Sequence, residues 1–585
     1  MGYLKLMKNL DLKWEVLNKA KSQKPKAQIS DILRILLENR GLKTKKQKIE
    51  FLNPKHPEKL DIKELGIDSD ELKKALKRIK EANKNEEQII IYGDYDADGI
   101  CATAILWETL FSQNENVKPY IPDRFEEGYG INTQSVESLK KQNPNIKLII
   151  TVDNGIVASD AIESAGKLGI DVIITDHHQK GKKIPKAYSV LHTDKISGTG
   201  IAWILAREIT KKIQNPHLRR GFGEQAKFKI QIENNLELVA IGTIADQMPL
   251  LGPNRSFTKY GLRILNKTKR LGLKALFSEA GLVTFKGPTL QGVKIGTYEV
   301  NFIIAPRLNA MGRMEHAIDS LRLLCTKNQG RAQELAGILG RTNKKRQKIV
   351  DEVVLHARHT IQNGLLRSAI VLAHETYHEG VIGLAASKLV EEFWRPAIVF
   401  SKGDKISKAS ARSLPGFNII ESIRSLDDLI LGGGGHPMAA GFSIETSKIE
   451  IFRRRFEELT ASLLTDEILS RKLRIDAEIG FESLGLDLIN ELENFEPSGI
   501  GNPTPVFATN DVNLLDTRTV GVEAKHLKLT LEKNGLEFGA IAFGKGDLFT
   551  KLKPESKVDI AFNLSRDVWN GNSKLQLKIK DIKIA

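Results

Sequence analysis

Three short apolar runs, each followed at once by acidic or acidic and histidine residues, most constrain how this chain can fold. The runs are Ile89–Ile91, Leu148–Ile150 and Val172–Ile174, and the motifs GDYDADG, TVDNG and TDHH follow them in that order. Apolar runs separated by helix-length segments are typical of parallel strands that are buried on both faces. Ligands bind at the carboxyl ends of such strands, so we predict that the three motifs meet at one edge of a parallel sheet.

The residues at that edge predict a metal centre with oxygen and imidazole ligands. Two carboxylates two positions apart beyond a strand, as in DADG, repel each other unless a cation lies between them. The two cysteines of the chain are too few for a thiolate cluster. Carboxylates with imidazole suit Mn²⁺ or Mg²⁺, with the imidazole favouring Mn²⁺, and two such cations would clamp a phosphodiester. The candidate ligands are Asp96, Asp98, Asp153, His177 and Asp246.

Each motif taken alone has a simpler interpretation. DADG resembles part of a calcium-binding loop, but Ile105 occupies the position where that loop requires a glutamate. Asp153 and Asn154 also fit a turn, and Asp176 fits a helix cap. Several carboxylates and imidazoles delivered to one sheet edge favour the metal centre.

The fold class that we predict is α/β with a C-terminal β-barrel. Alternating apolar residues around the turns Asn534-Gly535 and Asn570-Gly571 indicate short antiparallel strands of an OB-type barrel. The chain of 585 residues suggests about four domains. The predicted regions are an N-terminal helical segment (1–80), a parallel-sheet domain (81–329), a long connecting helix (330–362), a second α/β domain (363–460) and the barrel (467–585).

The charge balance favours a polyanionic partner such as nucleic acid. The chain has 88 Lys and Arg against 72 Asp and Glu, a formal net charge of +16. A solubilising surface explains this charge equally well. Because no apolar run is long enough for a membrane span or a signal peptide, we expect a cytoplasmic protein with no membrane contact.

Five motifs in order resemble a known superfamily. DYDADG, TVDNG, TDHH and AIGTIADQMPL resemble the four motifs of the DHH phosphoesterases, and GGGGHPMAAGF resembles the glycine-rich signature of their DHHA1 domain. The length, the segment Arg307–Arg313 and the barrel are similar to the single-strand-specific DNA exonucleases of that superfamily. The resemblance covers roughly residues 85–585. It implies Mn²⁺- or Mg²⁺-dependent 5′ to 3′ hydrolysis of single-stranded DNA to 5′-mononucleotides, in recombination and repair.

The resemblance also implies roles in the metal centre. Asp153 would bridge two cations, and Asp94 and Asp176 would lie outside the ligand shell, where Asp176 would orient an imidazole. His178 would face the scissile phosphate as a donor, although the division of roles between His177 and His178 stays open.

Other residues are candidates for holding DNA. By resemblance, Arg124 would clamp a 5′-terminal phosphate, with Ser410, Arg412 and His436 on the accessory-domain side of the same pocket. The glycines before His436 would let backbone N–H groups approach a phosphate. Contacts to backbone phosphates are expected from Arg307, Asn309 and Arg313, with a structural salt bridge as the alternative for one of the arginines. The candidate base-stacking aromatics are Phe125, Tyr129, Phe417 and Trp569.

Two other functions compete with this interpretation. A nano-oligonucleotide or cyclic-dinucleotide phosphodiesterase of the same superfamily needs no barrel, so residues 467–585 count against it. A non-catalytic DNA-binding scaffold would have lost metal ligands, whereas all five are present. The expected partners are single-stranded DNA, a single-strand-binding protein and a RecQ-type helicase, and we expect a monomer.

Overall fold

A computed structural model describes most of the chain and divides it into two compact units. The described residues are 12–17, 28–213, 232–233, 235–286, 289–362, 367–569 and 572–584. The aspartate unit comprises residues 53–348 and 497–502, and the barrel unit comprises residues 1–52, 349–496 and 503–585. Within the described ranges, no helix has the length and apolar character needed to cross a bilayer.

The N-terminal elements belong to the barrel unit. They are strand β1 (Lys13–Val16) and helices α1 (Ile29–Asn39) and α2 (Lys45–Leu52). β1 pairs in parallel with residues 472–475. Asn39 Nδ2 donates to the carbonyl of Asp476 at 3.0 Å, and Arg40 donates to the carbonyl of Pro503 at 2.6 Å. The sequence predicts only helix in this region, so the strand β1 and its pairing were not predicted.

The aspartate unit contains the predicted parallel sheet. Its strand order is β3-β2-β4-β5-β6, and every pair is parallel, so the prediction of a parallel sheet is confirmed. The order reverses between β2 and β4, and their carboxyl ends therefore form the switch point where such sheets bind ligands. The strands are β2 (Gln88–Tyr92), β3 (Val117–Tyr120), β4 (Ile146–Val152), β5 (Asp171–Asp176) and β6 (Ser189–His192).

Helices cover this sheet, and two of them, α4 (Ala97–Phe111) and α8 (Leu236–Ala245), are predominantly apolar. Helix α4 packs against α7 and α8, and both α4 and α8 are buried along nearly their whole length, as expected for helices of this composition. The elements are α3 (Ser69–Lys84), α4 (Ala97–Phe111), α5 (Thr133–Gln142), α6 (Ser159–Lys167), α7 (Gly198–Ile213), α8 (Leu236–Ala245), α9 (Gly252–Leu265), α10 (Leu271–Glu279), the hairpin β7 (Val283–Lys286) and β8 (Thr289–Gly292), α11 (Thr297–Glu299), α12 (Ala305–Met314) and α13 (Ile318–Cys325).

The predicted connecting helix is a single element. Helix α14 (Gln329–Gln362) has 34 residues, begins in the aspartate unit and ends in the barrel unit. Its apolar positions Leu335, Leu339 and Val353 are buried, while Lys344 and Lys345 are exposed.

A second α/β sheet lies in the barrel unit. β9 (Ile370–His374) and β10 (Ala397–Ser401) are parallel and are joined through helix α15 (Ile382–Phe393). β11 (Ile406–Arg412), β12 (Ile430–His436) and β13 (Ala439–Glu445) add antiparallel pairs in the order β12-β13-β11-β10-β9. Helices α16 (Ile419–Arg424) and α17 (Ile449–Leu463) share a hydrophobic core with this sheet.

The C-terminal strands close into a barrel, which confirms that prediction, and the structure shows that the barrel has five strands. The strand order is β16-β17-β18-β20-β19, and a β16–β19 pairing completes the circle. Leu527, Leu529 and Leu531 alternate into the interior, and the Asn534-Gly535 turn joins β17 to β18 with both residues at positive φ, as a type I′ turn requires. The elements are α18 (Asp466–Leu469), β14 (Lys472–Ile475), β15 (Ala477–Glu478), α19 (Leu486–Glu493), β16 (Phe507–Val520), β17 (His526–Lys533), β18 (Leu536–Ala542), β19 (Lys557–Trp569) and β20 (Asn572–Ile584). The Asn570-Gly571 turn lies outside the described residues.

Candidate metal centre and phosphate-binding residues

The predicted ligands meet at the switch point of the parallel sheet. Asp94 and Asp96 lie in the loop between β2 and α4, and Asp98 lies in the first turn of α4. Asp153 follows β4 directly, and Asp246 ends α8. His177 and His178 follow the last residue of β5. Separate strands and helices therefore bring together residues that are far apart in the sequence.

Backbone N–H groups orient two of the carboxylates. Asp96 caps α4 by accepting hydrogen bonds from the N–H groups of Asp98 at 2.9 Å and Gly99 at 3.0 Å. Asp98 accepts hydrogen bonds from the N–H groups of Gly198 at 2.7 Å and Thr199 at 3.1 Å, at the N-terminus of α7, and its side chain also contacts the Thr199 hydroxyl. The positive end of a helix thus stabilises one carboxylate and fixes its direction.

Glycines allow the carboxylates to pack this closely. A β-carbon at Gly198 would lie 2.4 Å from Asp153 Oδ1, and one at Gly242 would lie 2.4 Å from Asp98 Oδ1. Real atoms do not approach so closely, so any side chain at these two positions would displace a predicted ligand.

The centre places like charges together in a buried environment. Burial, followed by the charge of Asp98, raises the pKa of Asp153 well above its usual range. The same two causes raise the pKa of Asp246 to about 8. Burial also lowers the pKa of His177, although the nearby carboxylates oppose that shift. Such a group of carboxylates needs a cation to be ionised together.

Three side-chain atoms of the centre make no hydrogen bond within the described part of the chain, although two of them lie close to each other. Asp94 Oδ1, Asp153 Oδ1 and His177 Nε2 are buried and lack a hydrogen-bond partner among the described residues. His177 Nε2 lies 3.1 Å from Asp153 Oδ1, 3.5 Å from Asp246 Oδ2 and 3.8 Å from Asp98 Oδ2. Buried polar atoms rarely remain without partners, so the donor set fits a bound divalent cation.

Asp94 lies closer to the predicted ligands than expected. By resemblance it belongs outside the ligand shell, whereas in the structure ligand atoms of Asp94, Asp96 and Asp153 all lie within 4.8 Å of one another. With its Oδ1 unpartnered, this geometry favours Asp94 as a direct ligand. A second such group is Asp98, His177 and Asp246.

The structure distinguishes the two histidines. His177 is nearly buried and points its Nε2 at three carboxylates. His178 is more exposed, and its Nδ1 lies 2.8 Å from Asp176 Oδ1. Burial alone would lower the pKa of His178, but the hydrogen bond and charge of Asp176 raise it to about 9. His177 Nε2 therefore lies among the predicted ligand atoms, whereas the ring of His178 is held by Asp176.

Two residues that the sequence did not single out in these roles hold His178. His192 lies with Nε2 at 2.7 Å from the backbone carbonyl of His178. The Tyr129 hydroxyl lies 3.1 Å from His178 Nε2 and donates to the carbonyl of Asp153 at 3.1 Å. Tyr129 was a stacking candidate, but its hydroxyl contacts the centre. His192 at the end of β6 follows the same strand-end rule as the predicted ligands, and that rule would have indicated it.

Asn309 and Arg307 have protein partners. The N–H of Ala97 donates to Asn309 Oδ1 at 2.6 Å, which connects α12 to the start of α4. Arg307 donates to Glu279 Oε2 at 2.7 Å and to the carbonyl of Ile303 at 2.9 Å. Arg307 therefore has the salt bridge that was the alternative to a phosphate contact, and Asn309 positions backbone of the centre.

Arg124 and Arg313 lie beside Tyr95, which is in the ligand-bearing loop. The Arg124 guanidinium lies 5.1 Å from the centroid of the Tyr95 ring. Burial and the charge of Asp94 raise the pKa of Tyr95 to about 12, against the positive charges of Arg124 and Arg313. Both arginines thus add positive charge near the carboxylates.

In the barrel unit, Ser410, Arg412 and His436 lie on one face of a sheet. Arg412 pairs with Ala439, and Ala439 pairs with His436, so Arg412, Ala439 and His436 form one row across β11, β13 and β12. Cross-strand partners point to the same face, as do residues two apart such as Ser410 and Arg412. The glycines before His436 form the exposed edge strand β12. The sequence analysis did not predict this strand.

Arg412 is partly buried and has no charged hydrogen-bond partner among the described residues. It donates to the carbonyl of Ala411 at 2.8 Å and to Ser410 Oγ at 3.1 Å, and both acceptors are neutral. Burial lowers its pKa. A β-carbon at Gly383, at the start of α15, would lie 3.0 Å from Arg412 Nη2 and 2.9 Å from Ser410 Oγ. A partly buried guanidinium, a hydroxyl and a helix N-terminus together suit an anion.

Of the remaining stacking candidates, the structure describes the side chains of Phe417 and Phe125. Phe417 is buried in the core of the second α/β sheet, which is inconsistent with stacking on a base. Phe125 is half-buried in the Asp123 turn. The side chain of Trp569 lies outside the described residues.

Comparison with known proteins agrees with this architecture. Three family models match: the DHH family N-terminal domain over residues 88–243, the DHHA1 domain over 366–462 and the RecJ OB domain over 475–581. The single-stranded-DNA-specific exonuclease RecJ of Bacillus subtilis (strain 168) is 36% identical over 593 residues, which cover 98% of this chain and 71% of that protein.

Solved structures give the same result. RecJ from Thermus thermophilus in complex with Mn²⁺ matches with a TM-score of 0.78 and 29% identity, covering 98% of this chain and 80% of that one. The complex of that protein with Mg²⁺ matches with a TM-score of 0.74 and 28% identity, covering 98% and 79%. The chain therefore belongs to the RecJ family of single-stranded-DNA-specific exonucleases.

Proposed function

We propose that this chain is a metal-dependent exonuclease that degrades single-stranded DNA from the 5′ end and releases 5′-mononucleotides. The observation that carries the proposal is a group of buried ligand atoms at the switch point, Asp94 Oδ1, Asp153 Oδ1 and His177 Nε2, which have no hydrogen-bond partner in the described part of the chain. The B. subtilis relative named as a single-stranded-DNA-specific exonuclease supports the choice of substrate.

The centre has the donors for two divalent cations, Mn²⁺ or Mg²⁺. Bound there, such cations would activate a water nucleophile and neutralise charge on the phosphodiester. The ligands that we propose are Asp94, Asp96, Asp98, Asp153, His177 and Asp246, with Asp153 common to both ions.

His178 supplies the hydrogen-bond donor to the reacting phosphate. Asp176 accepts from His178 through Oδ1, and His192 contacts the His178 carbonyl, so both the ring and its backbone are held. A donor that is fixed before the substrate arrives costs no reorganisation when charge develops on the phosphate oxygens. Arg124 and Arg313 add positive charge beside the same loop.

Arg412 and Ser410 bind a phosphate group in the barrel unit. The guanidinium lacks an anionic hydrogen-bond partner among the described residues, and a terminal phosphate carries more charge than an internal diester. We assign this phosphate to the 5′ end of the strand, which would account for the direction of degradation.

The barrel supports a long substrate over a small one. A closed barrel of the OB type follows the second α/β domain, and OB folds bind extended single strands through charge and stacking. A phosphodiesterase for dinucleotides has no need of such a surface.

The function is tested with strands labelled at one end. Purified chain is incubated with Mn²⁺ and a single strand that carries its label at the 5′ or the 3′ end. We expect labelled mononucleotide at once from the 5′-labelled strand and a shrinking ladder from the 3′-labelled strand. Digestion from 3′ ends, equal attack on blunt duplexes, or cleavage of dinucleotides alone would contradict the proposal.

The cellular context is also part of the proposal. We infer a cytoplasmic monomer acting in recombination and repair, with a single-strand-binding protein and a RecQ-type helicase as candidate partners. Pull-down with each purified partner, and the mass in solution by light scattering, test these points.

A further inference from the structure

Two neighbouring aromatic side chains of the aspartate unit are largely exposed. Tyr298 is 63% exposed and Phe302 is 61% exposed. Their ring centroids lie 4.9 Å apart, with 35° between the ring planes. They form a small aromatic surface, which we call the ring pair.

The backbone places the ring pair outward while anchoring it inward. Tyr298 lies in α11, and Phe302 lies in a π-helical turn, residues 300–304, that precedes α12. Val300 and Ile304, on the other side of this segment, are completely buried. π-helical turns are rare and occur frequently at functional sites.

The segment that carries the ring pair is attached to two ligand-bearing loops. Asn301, adjacent to Phe302, accepts a hydrogen bond from Gln247 at 2.7 Å, and Gln247 directly follows Asp246. Further along, Asn309 accepts from Ala97, which directly follows Asp96. The ring pair is therefore held in a fixed position relative to the carboxylates of the aspartate unit.

From this placement we propose that Tyr298 and Phe302 form a stacking site for a nucleobase of the strand undergoing cleavage. The inference rests on the proposed function, because a single-stranded polynucleotide is the aromatic-bearing ligand that the neighbouring centre would hold. Unpaired bases stack on exposed aromatic rings regardless of sequence, which suits an enzyme that must accept every base. The ring pair would position the strand and take no part in the chemistry.

The test compares strands with and without bases. The full chain is mixed with a fluorescent oligothymidylate, or with an oligonucleotide of equal length whose sugars lack bases, and Kd is measured in EDTA. For the double variant Tyr298→Ala/Phe302→Ala, we expect Kd for the base-containing strand to rise about 5- to 100-fold, the range of one lost stack. Kd for the abasic strand should stay within about twofold, since phosphate contacts remain.

A matched control is available in the same unit. Phe111 is 42% exposed and lies 5.1 Å from the Trp107 ring with 32° between the planes, so it resembles the ring pair in geometry. It stands at the far end of the 15-residue α4, about 20 Å from the first turn of that helix. Phe111→Ala should leave both Kd values unchanged. Tyr298→Phe should retain base-dependent binding, whereas Tyr298→Leu/Phe302→Leu should lose it.

Each other outcome overturns the inference. An equal change of Kd for both strands would indicate a general structural effect, and no change would show that the rings bind no base. A changed mass in solution with unchanged Kd would assign the ring pair to a second copy of the chain. The proposed function is judged separately with Mn²⁺, because an inactive wild type refutes the nuclease while the Kd comparison still decides the role of the ring pair.

Discussion

Two buried charge clusters of the aspartate unit have opposite composition. In one, Arg270 donates to both oxygens of Glu108, at 2.7 and 3.0 Å, and to Glu237 at 3.0 Å. In the other, carboxylates surround His177, and Asp153 Oδ1 has no hydrogen-bond partner within the described ranges. In the first cluster a guanidinium lies between the carboxylates, whereas in the second the carboxylates surround the His177 imidazole, and the positive charge of the nearby His178 is paired with Asp176.

This difference separates a structural site from a ligand site. A buried guanidinium between two carboxylates offsets the cost of taking those charges out of water. Carboxylates placed together without a cation raise each other's pKa and destabilise the ionised form. A cluster in which carboxylates outnumber the positive charges beside them favours a cation from solution, and this excess of carboxylates is what distinguishes the predicted metal centre.

The largest expected effect is on activity at the centre. Asp153→Asn removes a ligand common to both ions, so kcat/KM on single-stranded DNA should fall by about 1,000-fold or more, measured by release of mononucleotide. The folded state should keep its stability or gain some, because one of several repelling carboxylates is gone.

Asp160→Asn is the matched control for that change. Asp160 is exposed in the first turn of α6 and is not among the predicted ligands, so its variant should keep full activity. Activity of Asp153→Asn within about tenfold of wild type would be incompatible with a bridging role.

The next largest effect is on the stability of the folded protein, through the cluster in which Arg270 is paired with Glu108 and Glu237. Arg270→Met leaves two carboxylates buried without their cation, so the free energy of unfolding in urea should fall by about 3–5 kcal/mol. Arg322→Met, which breaks an exposed pair with Asp319, should cost about 1 kcal/mol or less. If both arginine variants lost the same stability, the Arg270 cluster would not be the structural counterpart described above.

Added Mn²⁺ should stabilise the folded protein only when the carboxylate cluster around His177 keeps its ligands. Mn²⁺ at 100 times its Kd should raise the free energy of unfolding of the wild type by about 2.7 kcal/mol. The same addition should do little for Asp153→Asn, since the variant lacks a ligand. Thermal unfolding with and without Mn²⁺, each referenced to EDTA, measures both, and equal stabilisation of the two proteins would place the ion elsewhere.

The strands and ligands were predictable because local sequence determines them. Uniform apolar runs followed by Asp or His indicate parallel strands and their carboxyl ends, so the sheet and the residues gathered at its edge could be inferred together. The tertiary partners of single side chains could not. Nothing near Arg307 indicates that Glu279 lies 2.7 Å away, and nothing near Asn309 indicates that it accepts from Ala97. The strand β1 was also missed, because four residues paired with a segment more than 450 positions away leave no local periodicity.

Arg307 and Arg412 differ in the same way as the two clusters, because only one of them has a carboxylate partner in the described part of the chain. Arg307 is paired with Glu279, whereas Arg412 donates to the neutral oxygens of Ser410 and Ala411. By the reasoning used for the aspartates, we expect Arg412 to bind an anion. Arg412→Ala should therefore reduce the preference for 5′-phosphorylated over 5′-hydroxyl strands by about tenfold, the effect of one lost charge-assisted hydrogen bond.

The ratio of the two substrates is what makes this prediction specific. A variant that merely disturbed the sheet would slow cleavage of both strands equally and leave the ratio unchanged, whereas a lost phosphate ligand slows only the phosphorylated form. Arg424→Ala, at an exposed arginine of the same unit, controls for the loss of one positive charge and should not alter the ratio. If Arg412→Ala also left the ratio unaltered, a partly buried arginine that donates only to neutral oxygens in the described part of the chain would not identify a phosphate site, and the contrast with Arg307 would fail.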